Sequence, residues 1–431
     1  MIKHIYKIVG LIVIFVAALF FFGSRMSTNL VETSEKTEMK SETFPYMTVT
    51  TQGEELNVLY GYSESTAYNV IRESITPLNQ SKTIDLNLSD GQDSLREMDY
   101  RILDRETGEV YEEGNIGALT QEEKKVSITF DYGFKTSTEY ILDIVGKAMS
   151  GREIHYFTRL KYYIEDSFLD EKLAFAKKFH KATFNKTKKD YVERYLEPSP
   201  KNLNASLAQV DITSSADLIL YSNMSPKVIS REFVTVKEYN METACIQYNY
   251  FIQASTSSGD EIFHVKEFYR VRYASGHSYL LNFDRTMEAE FDSSLASTST
   301  SQLKIGITED HQGGLLANQD NTILFFQRNG RVYQYDLTTN ILTLVYSNFS
   351  PEASYDYQAY NENDIRLLKV DEEGNLFFTA YGYFARGDYE GDVAVVLFEY
   401  TSGGELKEMV YMPTDTTFQQ LKEDFATYGY V

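Results

Sequence analysis

Basic side chains recur at alternate positions along one predicted strand in the middle of the chain. They are His264, Lys266, Arg270 and Arg272, and alternation along a strand places them on one face of a sheet. If that face is exposed, these cations supply the charge-assisted hydrogen bonds that bind an anionic glycan. If helices cover the face, the same side chains pair with acidic residues. The sequence leaves both interpretations open.

Acidic side chains alternate in the loop Ala385–Asp392 (ARGDYEGD), at Asp388, Glu390 and Asp392. Carboxylate oxygens spaced along a loop are ligands that Ca²⁺ prefers, so the loop is a candidate calcium site. The alternative is an ordinary surface insertion. We expect no other cofactor. The tripeptide Arg386-Gly387-Asp388 also matches an integrin-binding sequence, but so short a match is more often accidental.

The chain lacks the sequence patterns of common catalytic sites. It contains no HExxH, GxSxG, P-loop or GxGxxG motif, and its six histidines do not have the spacing of zinc ligands. Cys245 is the only cysteine, which excludes an intrachain disulfide, and it lies within a predicted strand, which favours a structural thiol. Paired carboxylates could serve a glycosidase, but among 63 acidic residues such pairs are found at any spacing.

A lysine-rich stretch coincides with a predicted helix. Leu169, Leu173, Ala176 and Phe179 follow helical spacing and predict a buried face. The basic side chains of this stretch could dock on anionic lipid headgroups or on wall polymer, and an ordinary solvated helix face is the alternative. They are Lys172, Lys177, Lys178, His180, Lys181, Lys186, Lys188 and Lys189.

The overall composition limits the classes of partner. The 431 residues are 42% hydrophobic and 24% charged, as in a globular protein of roughly three domains. Lysine and arginine number 41, and aspartate and glutamate number 63, which gives a net charge of −22. Because so acidic a surface repels phosphate backbones, we expect no nucleic-acid partner.

Residues 1–25 predict a cytoplasmic stub and a transmembrane anchor. The segment 5–23 is apolar apart from Lys7 and is long enough to cross a bilayer. Basic residues precede it, so the positive-inside rule places residues 1–7 in the cytoplasm and the bulk of the chain outside the cell membrane. A cleaved signal peptide is the alternative. Three phenylalanines at positions 20–22, where a cleavage site needs small residues, favour the anchor.

The residues after the anchor predict a tether and a first β unit. Residues 26–43 are polar and acidic, which is typical of a flexible tether. Residues 44–162 contain about seven short strands at the spacing of a β-sandwich. The segment YILDIVGKAMSGREIHYFTRL resembles the final strand pair of Ig-like or fibronectin-like bacterial modules. This resemblance implies an Ig-like sandwich.

The middle of the chain, residues 163–300, predicts an α+β unit. Two helical segments come first, and long alternating strands follow. In Thr243–Ala254 and in its return strand after the turn at Ser257–Asp260, apolar and polar side chains alternate, which predicts a sheet with one buried face.

Residues 301–431 contain an internal repeat. LLANQDNTILFF (315–326) matches LLKVDEEGNLFF (367–378), and QYDLTTNILTLVY (334–346) matches EYTSGGELKEMVY (399–411). Each copy is two hairpins, which resembles the four-stranded blade of WD-, kelch- or quinoprotein-like β-propellers. Two blades cannot close a ring, so either the chain is part of a longer propeller or the two sheets pack on the α+β unit or on a partner. The residues after Pro413 predict the connector and first strand of a third blade.

Together these patterns predict a mainly β fold with an α+β middle unit behind an N-terminal transmembrane helix. A single cysteine, no tryptophan and many Tyr, Lys, Glu and Asn residues resemble the composition of Gram-positive exoproteins. We expect a non-catalytic, membrane-anchored interaction or scaffold protein whose partner is a cell-envelope protein or an anionic wall polymer. The alternatives are an envelope carbohydrate-active enzyme and a ligand sensor that works with a membrane partner.

Overall fold

The computed structural model describes residues 31–33, 39–51, 53–63, 74–120, 124–165, 167–199, 206–256, 259–292, 298–299, 302–303 and 314–428. These residues form five sheets of four to six strands, one two-stranded pair and a few helices, so the mainly β prediction is confirmed. The predicted anchor, residues 5–23, and most of the predicted tether lie outside the described residues. Within the described part of the chain, every helix is too short or too polar to cross a membrane.

Two sheets pack face to face in the N-terminal part. The chain's first strand, β1 (Val31–Thr33), belongs to a later sheet, and the next strands are β2 (Met47–Thr51), β3 (Glu54–Leu59), β4 (Ile75–Leu78), β5 (Thr83–Leu88), β6 (Leu95–Asp104), β7 (Val110–Ala118), β8 (Lys125–Thr129), β9 (Glu139–Ala148) and β10 (Glu153–Tyr162). The sheets run β3-β2-β5-β8 and β4-β10-β9-β6-β7, and only β4 and β10 are parallel. Val49 and Leu86 of the first sheet share a core with Leu142 and Ile154 of the second. We call this unit the sandwich.

The hairpin predicted in the sandwich is present. β6 and β7 are antiparallel neighbours joined by the turn at residues 105–109. The side chain of Asp104 accepts hydrogen bonds from the backbone N–H groups of Glu106 and Thr107, and Gly108 adopts a φ of 74°. Such an aspartate and a glycine are the residues that close a tight turn, which is why the sequence revealed it.

Helices cover one face of a long antiparallel sheet in the middle part. The helices are α1 (Leu169–Thr183), α2 (Lys189–Glu193) and α3 (Ala216–Ile219), and the strands are β11 (Gln209–Asp211), β12 (Lys227–Val228), β13 (Phe233–Tyr239), β14 (Thr243–Thr256), β15 (Gly259–Ala274) and β16 (His277–Ala289). The sheet order is β11-β16-β15-β14-β12, and β13 also pairs with β14. Leu173, Ala176 and Phe179 of α1 are buried against the sheet, as their helical spacing predicts. We call this the helix–sheet unit.

Two four-stranded antiparallel sheets form the C-terminal unit. After the short pair β17 (Thr298–Ser299) and β18 (Gln302–Leu303) come β19 (Leu315–Ala317), β20 (Ile323–Arg328), β21 (Arg331–Asp336), β22 (Ile341–Ser347), α4 (Tyr355–Gln358), β23 (Asn363–Val370), β24 (Leu376–Tyr383), β25 (Val393–Tyr400), β26 (Leu406–Pro413) and α5 (Phe418–Tyr428). The sheets run β19-β20-β21-β22 and β23-β24-β25-β26, and β1 adds to β22 in parallel. Both copies of the sequence repeat therefore fold as two hairpins, as predicted.

The arrangement of these sheets is not a propeller. Phe325 and Val332 of the first sheet pack against Phe378 and Phe398 of the second. The described residues form no closed ring of blades. The prediction for the residues after Pro413 was wrong, because they form helix α5 instead of a strand. Leu421 and Phe425, four positions apart, are buried on one side of that helix, which is helical spacing.

Aromatic side chains from all three units meet in one buried cluster. We call this cluster the aromatic seam; its rings are Tyr46, Tyr60, Tyr62, Phe233, Phe251, Tyr357, Tyr360 and Tyr383. Tyr60 stacks on Tyr360 with 4.3 Å between ring centroids, and Tyr383 lies 5.2 Å from Tyr62. The C-terminal unit therefore contacts the helix–sheet unit, as one of the interpretations expected, and it also contacts the sandwich.

Candidate functional site

The predicted basic stripe lies on the face of the sheet opposite the helices, and the C-terminal unit covers half of it. His264 is only 7% exposed; its ring stacks on Phe251 and its Nε2 lies 2.6 Å from Oδ1 of Asn249. Burial and the nearby charge of Lys266 hold the pKa of His264 well below its usual range, so the ring is neutral. Lys266 donates to Oδ1 of Asn361 at 2.6 Å. Lys266 therefore joins the C-terminal unit to the sheet directly, whereas His264 contacts Phe251 and Asn249, which in turn contact Tyr355 and the Ala359 carbonyl of that unit.

The other half of the stripe is open. Arg270 and Arg272 are exposed, and the guanidinium of Arg272 lies 4.8 Å from the centre of the Tyr279 ring. Tyr279 and Leu281 of the neighbouring strand are each 41% exposed. Among the described residues, no carboxylate lies within ion-pair distance of either arginine, whereas many other cations of this chain have one. We call these four residues the basic patch.

The half-buried Cys245 lies beside the basic patch. It is the cross-strand neighbour of Arg270, and Glu238 is its neighbour on the other side. Burial, with the nearby Glu238 carboxylate, raises the pKa of the thiol above its ordinary value. A thiol held in its protonated form is a poor nucleophile, which suits the structural role predicted for Cys245.

The three acidic residues of the predicted calcium loop have three different partners. Asp388 is exposed and pairs with Lys40 at 2.5 Å, and Asp392 accepts hydrogen bonds from the hydroxyls of Ser63 and Tyr411. Glu390 is buried. No group of three or more His, Cys, Asp or Glu side chains that could hold a metal ion occurs among the described residues.

Glu390 binds the residues that precede the sandwich. Its carboxylate accepts from the backbone N–H groups of Thr43 and Phe44, at 2.6 and 2.9 Å, and from the Thr43 hydroxyl. Nearby, the carboxylate of Glu42 accepts from the N–H and the hydroxyl of Ser350, at 2.7 and 2.6 Å. We call residues 40–44 with Ser350, Asp388 and Glu390 the N-terminal clasp. Residues 40–43, which the sequence assigned to the tether, thus contact the C-terminal unit.

We expect the clasp to open when Glu390 is replaced. Glu390→Ala leaves buried N–H donors without an acceptor, which costs about 1–3 kcal/mol and should raise the opened fraction at least about fivefold. Limited trypsin digestion measures the rate of cleavage after the exposed Lys40. Asp388→Asn removes only the exposed partner of Lys40 and should leave the rate within about twofold. Equal rates in Glu390→Ala and the unaltered protein would contradict the clasp.

A buried ion pair lies under helix α1, and the sequence did not predict it. His180 of α1 lies with Nδ1 2.6 Å from Oε2 of Glu267, which is fully buried, and with Nε2 2.8 Å from Oε1 of the half-exposed Glu232. Burial opposes the charged imidazole, but the attraction and hydrogen bonds of Glu267 and Glu232 outweigh it and raise the pKa of His180 to about 9.

Tyrosines complete this network. Tyr250 and Tyr269 donate to Glu267 at 3.0 and 2.6 Å, and the Tyr250 hydroxyl lies 3.0 Å from that of Tyr221. The guanidinium of Arg285 lies 3.7 Å from the centre of the Tyr221 ring. The available signal was an acid, Glu267, on the otherwise apolar side of strand β15. An acid at such a position requires a buried cation.

Several lysines of the predicted basic helix region have intramolecular partners. Lys172 is fully buried, and its Nζ donates to the carbonyl oxygens of Ser167, Asn240 and Met241 at 2.7–3.1 Å. Lys186 donates to the carbonyls of Leu220 and Ser222, Lys189 pairs with Asp217 at 2.8 Å, and Lys177 lies 3.5 Å from Glu54. These contacts leave less free positive charge for a lipid or polymer than the sequence implied.

A small cavity lies at the aromatic seam next to the clasp. Its volume is about 10 Å³, which is about what one water molecule needs. Phe44, Tyr46, Tyr60, Tyr357, Tyr383 and Glu390 line it, with parts of the intervening backbone. The seam is therefore packed as an interior, and a substrate does not fit into this cavity.

Comparisons with known proteins do not place the chain in a family. No protein family and no curated protein sequence matches it. The extracellular domain of a one-component system protein from B. thetaiotaomicron is similar at 12% identity over 30% of this chain and 16% of that one, with a TM-score of 0.17. A DUF4784 family protein from Bacteroides caccae is similar at 11% identity over 79% and 83%, with a TM-score of 0.14. This chain spans about a sixth of the first structure, and neither likeness carries a functional argument.

Proposed function

We propose that this is a membrane-anchored interaction protein of the bacterial cell envelope, and that its basic patch binds an anionic wall polymer outside the membrane. The proposal assigns no catalytic step. The observation that carries it is the exposed pair Arg270 and Arg272, which keeps its charge available in a chain whose net charge is −22. In the other half of the predicted stripe, Lys266 contacts the C-terminal unit and His264 is buried in the sheet beside it.

The neighbours of the arginines suit a polymer ligand. Tyr279 and Leu281 offer an exposed ring and an aliphatic side chain beside the two guanidinium groups. Carboxylate or phosphate groups of a repeating polymer would pair with the arginines, and sugar rings would pack on the tyrosine. Exposed acidic side chains outside the basic patch repel an anionic polymer, so the protein should bind the polymer with the basic patch facing it.

Polymer binding tests this proposal. The full-length protein in detergent should bind long-chain polyphosphate or a polyuronate, with an affinity that falls as salt rises. Arg270→Glu/Arg272→Glu removes two charge-assisted contacts of about 1.5 kcal/mol or more each, so we expect binding about 100-fold weaker by titration calorimetry.

A matched control changes the same charge elsewhere. Lys178→Glu/Lys181→Glu lies on the exposed side of α1 and should bind the polymers like the unaltered protein. If the lysine variant loses binding and the arginine variant retains it, the basic helix is the polymer site. If the unaltered protein binds neither polymer, the proposed function is wrong.

Ligand sensing is a second candidate, and the N-terminal clasp favours it. Residues 40–44 follow the segment that leads from the predicted anchor. They contact the C-terminal unit and the aromatic seam directly. A ligand that shifted these units would therefore also shift the residues nearest the membrane. A rate of trypsin cleavage after Lys40 that changes when polymer is added would support this role, and an unchanged rate would exclude it.

A further inference from the structure

The outward face of the long sheet continues beyond the basic patch into a row of three different side chains. Cross-strand pairing places Gln247 of β14, Phe268 of β15 and Asp284 of β16 side by side on this face. All three side chains are half-buried. The row lies between Arg270, which is exposed, and Lys266, where the C-terminal unit contacts the sheet. We call these three residues the middle row.

The ring of Phe268 contributes to no core of the protein. It lies on the side of the sheet opposite the helices, and it belongs to none of the hydrophobic clusters that the described residues form. Beside it, the side-chain amide of Gln247 has no hydrogen-bond partner within the described part of the chain. An aromatic ring with a few polar groups beside it is typical of ligand sites. The middle row therefore offers a ligand both an apolar surface and hydrogen-bonding groups.

The chemistry of the middle row suits a sugar ring. The apolar C–H face of a sugar packs on an aromatic ring such as Phe268, and sugar hydroxyls donate to a carboxylate and exchange hydrogen bonds with an amide. Gln209 of strand β11 also approaches the Asp284 carboxylate, which retains lone pairs for a ligand. The negative charge of Asp284 repels a phosphate placed in this row. The row therefore favours a sugar ring over a bare anion.

The aromatic rings and the cations follow one another along the sheet. Side chains on one face of a strand recur about every 7 Å, so Phe268, Arg270 and Arg272 extend over about 13 Å. Tyr279 lies beside Arg272 at the far end. A polymer that crosses this face meets a ring, two cations and a second ring. This order matches a chain of sugar rings that carry acid groups, whereas a polyanion without sugars would use only the two cations.

We propose that the ligand of the basic patch is an acidic polysaccharide, with one sugar unit on the middle row and neighbouring acid groups paired with Arg270 and Arg272. This inference rests on the proposed function, because it uses the same two arginines. It adds that the protein recognises the sugar as well as the charge. Phe268 is then the residue that distinguishes a polysaccharide from a polyanion that contains no sugar.

Replacing Phe268 tests this inference with two probes. Polygalacturonate consists of sugars that carry a carboxylate, and long-chain polyphosphate contains no sugar. Titration calorimetry on the full-length protein in detergent measures both affinities. We expect Phe268→Ala to bind polygalacturonate about tenfold more weakly, because one aromatic contact is lost, and to bind polyphosphate within about twofold of the unaltered protein. Phe268→Leu keeps most of the apolar volume and should show the same selective loss if Phe268→Ala does not fold.

The matched control is Phe377→Ala, which removes a half-buried phenylalanine of the C-terminal unit and should change neither affinity. Equal weakening for both polymers, or no change for either, would overturn the inference, because Phe268 would then not recognise the sugar. Binding of polyphosphate alone by the unaltered protein would also overturn it and would leave the proposed function standing. If the unaltered protein bound neither polymer, the proposed function would fail and this inference with it.

Discussion

Replacing His180 by leucine is expected to lower the free energy of unfolding by about 3–5 kcal/mol. The substitution leaves the fully buried carboxylate of Glu267 without its cation, and breaking one side of a buried ion pair has this typical cost. Tyr250 and Tyr269 still donate to the carboxylate, so the fold should survive in weakened form. Urea denaturation followed by circular dichroism measures the change.

Two further variants separate the ion pair from ordinary packing. Glu232→Gln removes only the half-exposed partner of His180 and should cost about 1 kcal/mol or less. The double variant His180→Leu/Glu267→Leu removes both buried charges and should be more stable than His180→Leu alone, because no unpaired carboxylate remains. A double variant that is less stable than either single variant would show that the pair itself is not what holds α1 on the sheet.

The ion pair also predicts a pH dependence. The pKa of His180 rises from an ordinary 6.5 to about 9 in the folded protein, so its contribution is complete below about pH 6.5 and is lost as the pH rises through about 9. Although burial opposes its charged form, the pKa of Glu267 is lowered overall, so its own contribution is present above about 4.5 and is lost only as the pH falls. The stability difference between the unaltered protein and His180→Leu should therefore shrink above pH 9. A difference that stayed constant would mean that His180 is neutral.

Replacing Tyr383 by alanine is the second large effect that we expect, also about 3–5 kcal/mol. Tyr383 lies at the centre of the aromatic seam, with its ring 5.2 Å from Tyr62 and 4.8 Å from Tyr360, and its hydroxyl donates to the carbonyl of Gly61 at 2.8 Å. Deleting so large a buried ring leaves a cavity where the units meet. We expect a lower urea midpoint and new protease cleavage in the segment around Tyr355–Gln358.

The control for Tyr383→Ala is Tyr383→Phe. Phenylalanine retains the ring contacts and loses only the hydrogen bond to Gly61, which is a cost of about 1 kcal/mol. If both variants lost equal stability, the hydroxyl and not the seam packing would join the units. If neither variant lost stability, the three units would fold independently of one another.

Local sequence patterns predicted the strands and hairpins because those elements depend on neighbouring residues. Asn318 and Asn321 close the first hairpin of the repeat and Gly374 the corresponding one in the second copy, and such residues show themselves in a sequence. The alternation that places Arg270 and Arg272 on the outward face is local as well. The exposure of these two side chains was not predictable, since it depends on where the C-terminal unit ends.

Local sequence patterns could not predict contacts between residues that are far apart in the sequence. Glu42 meets Ser350 across 308 positions, and Tyr62 meets Tyr360 across 298. No periodicity encodes either contact. The pairing of His180 with Glu267 spans 87 positions, and only the unusual place of Glu267 on an apolar strand face could have indicated it. The helical spacing of Leu421 and Phe425 is short, and the preceding repeat favours a further strand over helix α5 at this position.

Labelling of intact cells tests the central claim, an extracytoplasmic protein on a single anchor, most directly. In a Cys245→Ser background, a cysteine at the exposed position of Tyr428 should react with a membrane-impermeant maleimide on intact cells. A cysteine at position 3, in the predicted cytoplasmic stub, should react only after lysis. Labelling of the position 3 variant alone on intact cells, or of the Tyr428→Cys variant only after lysis, would contradict the account.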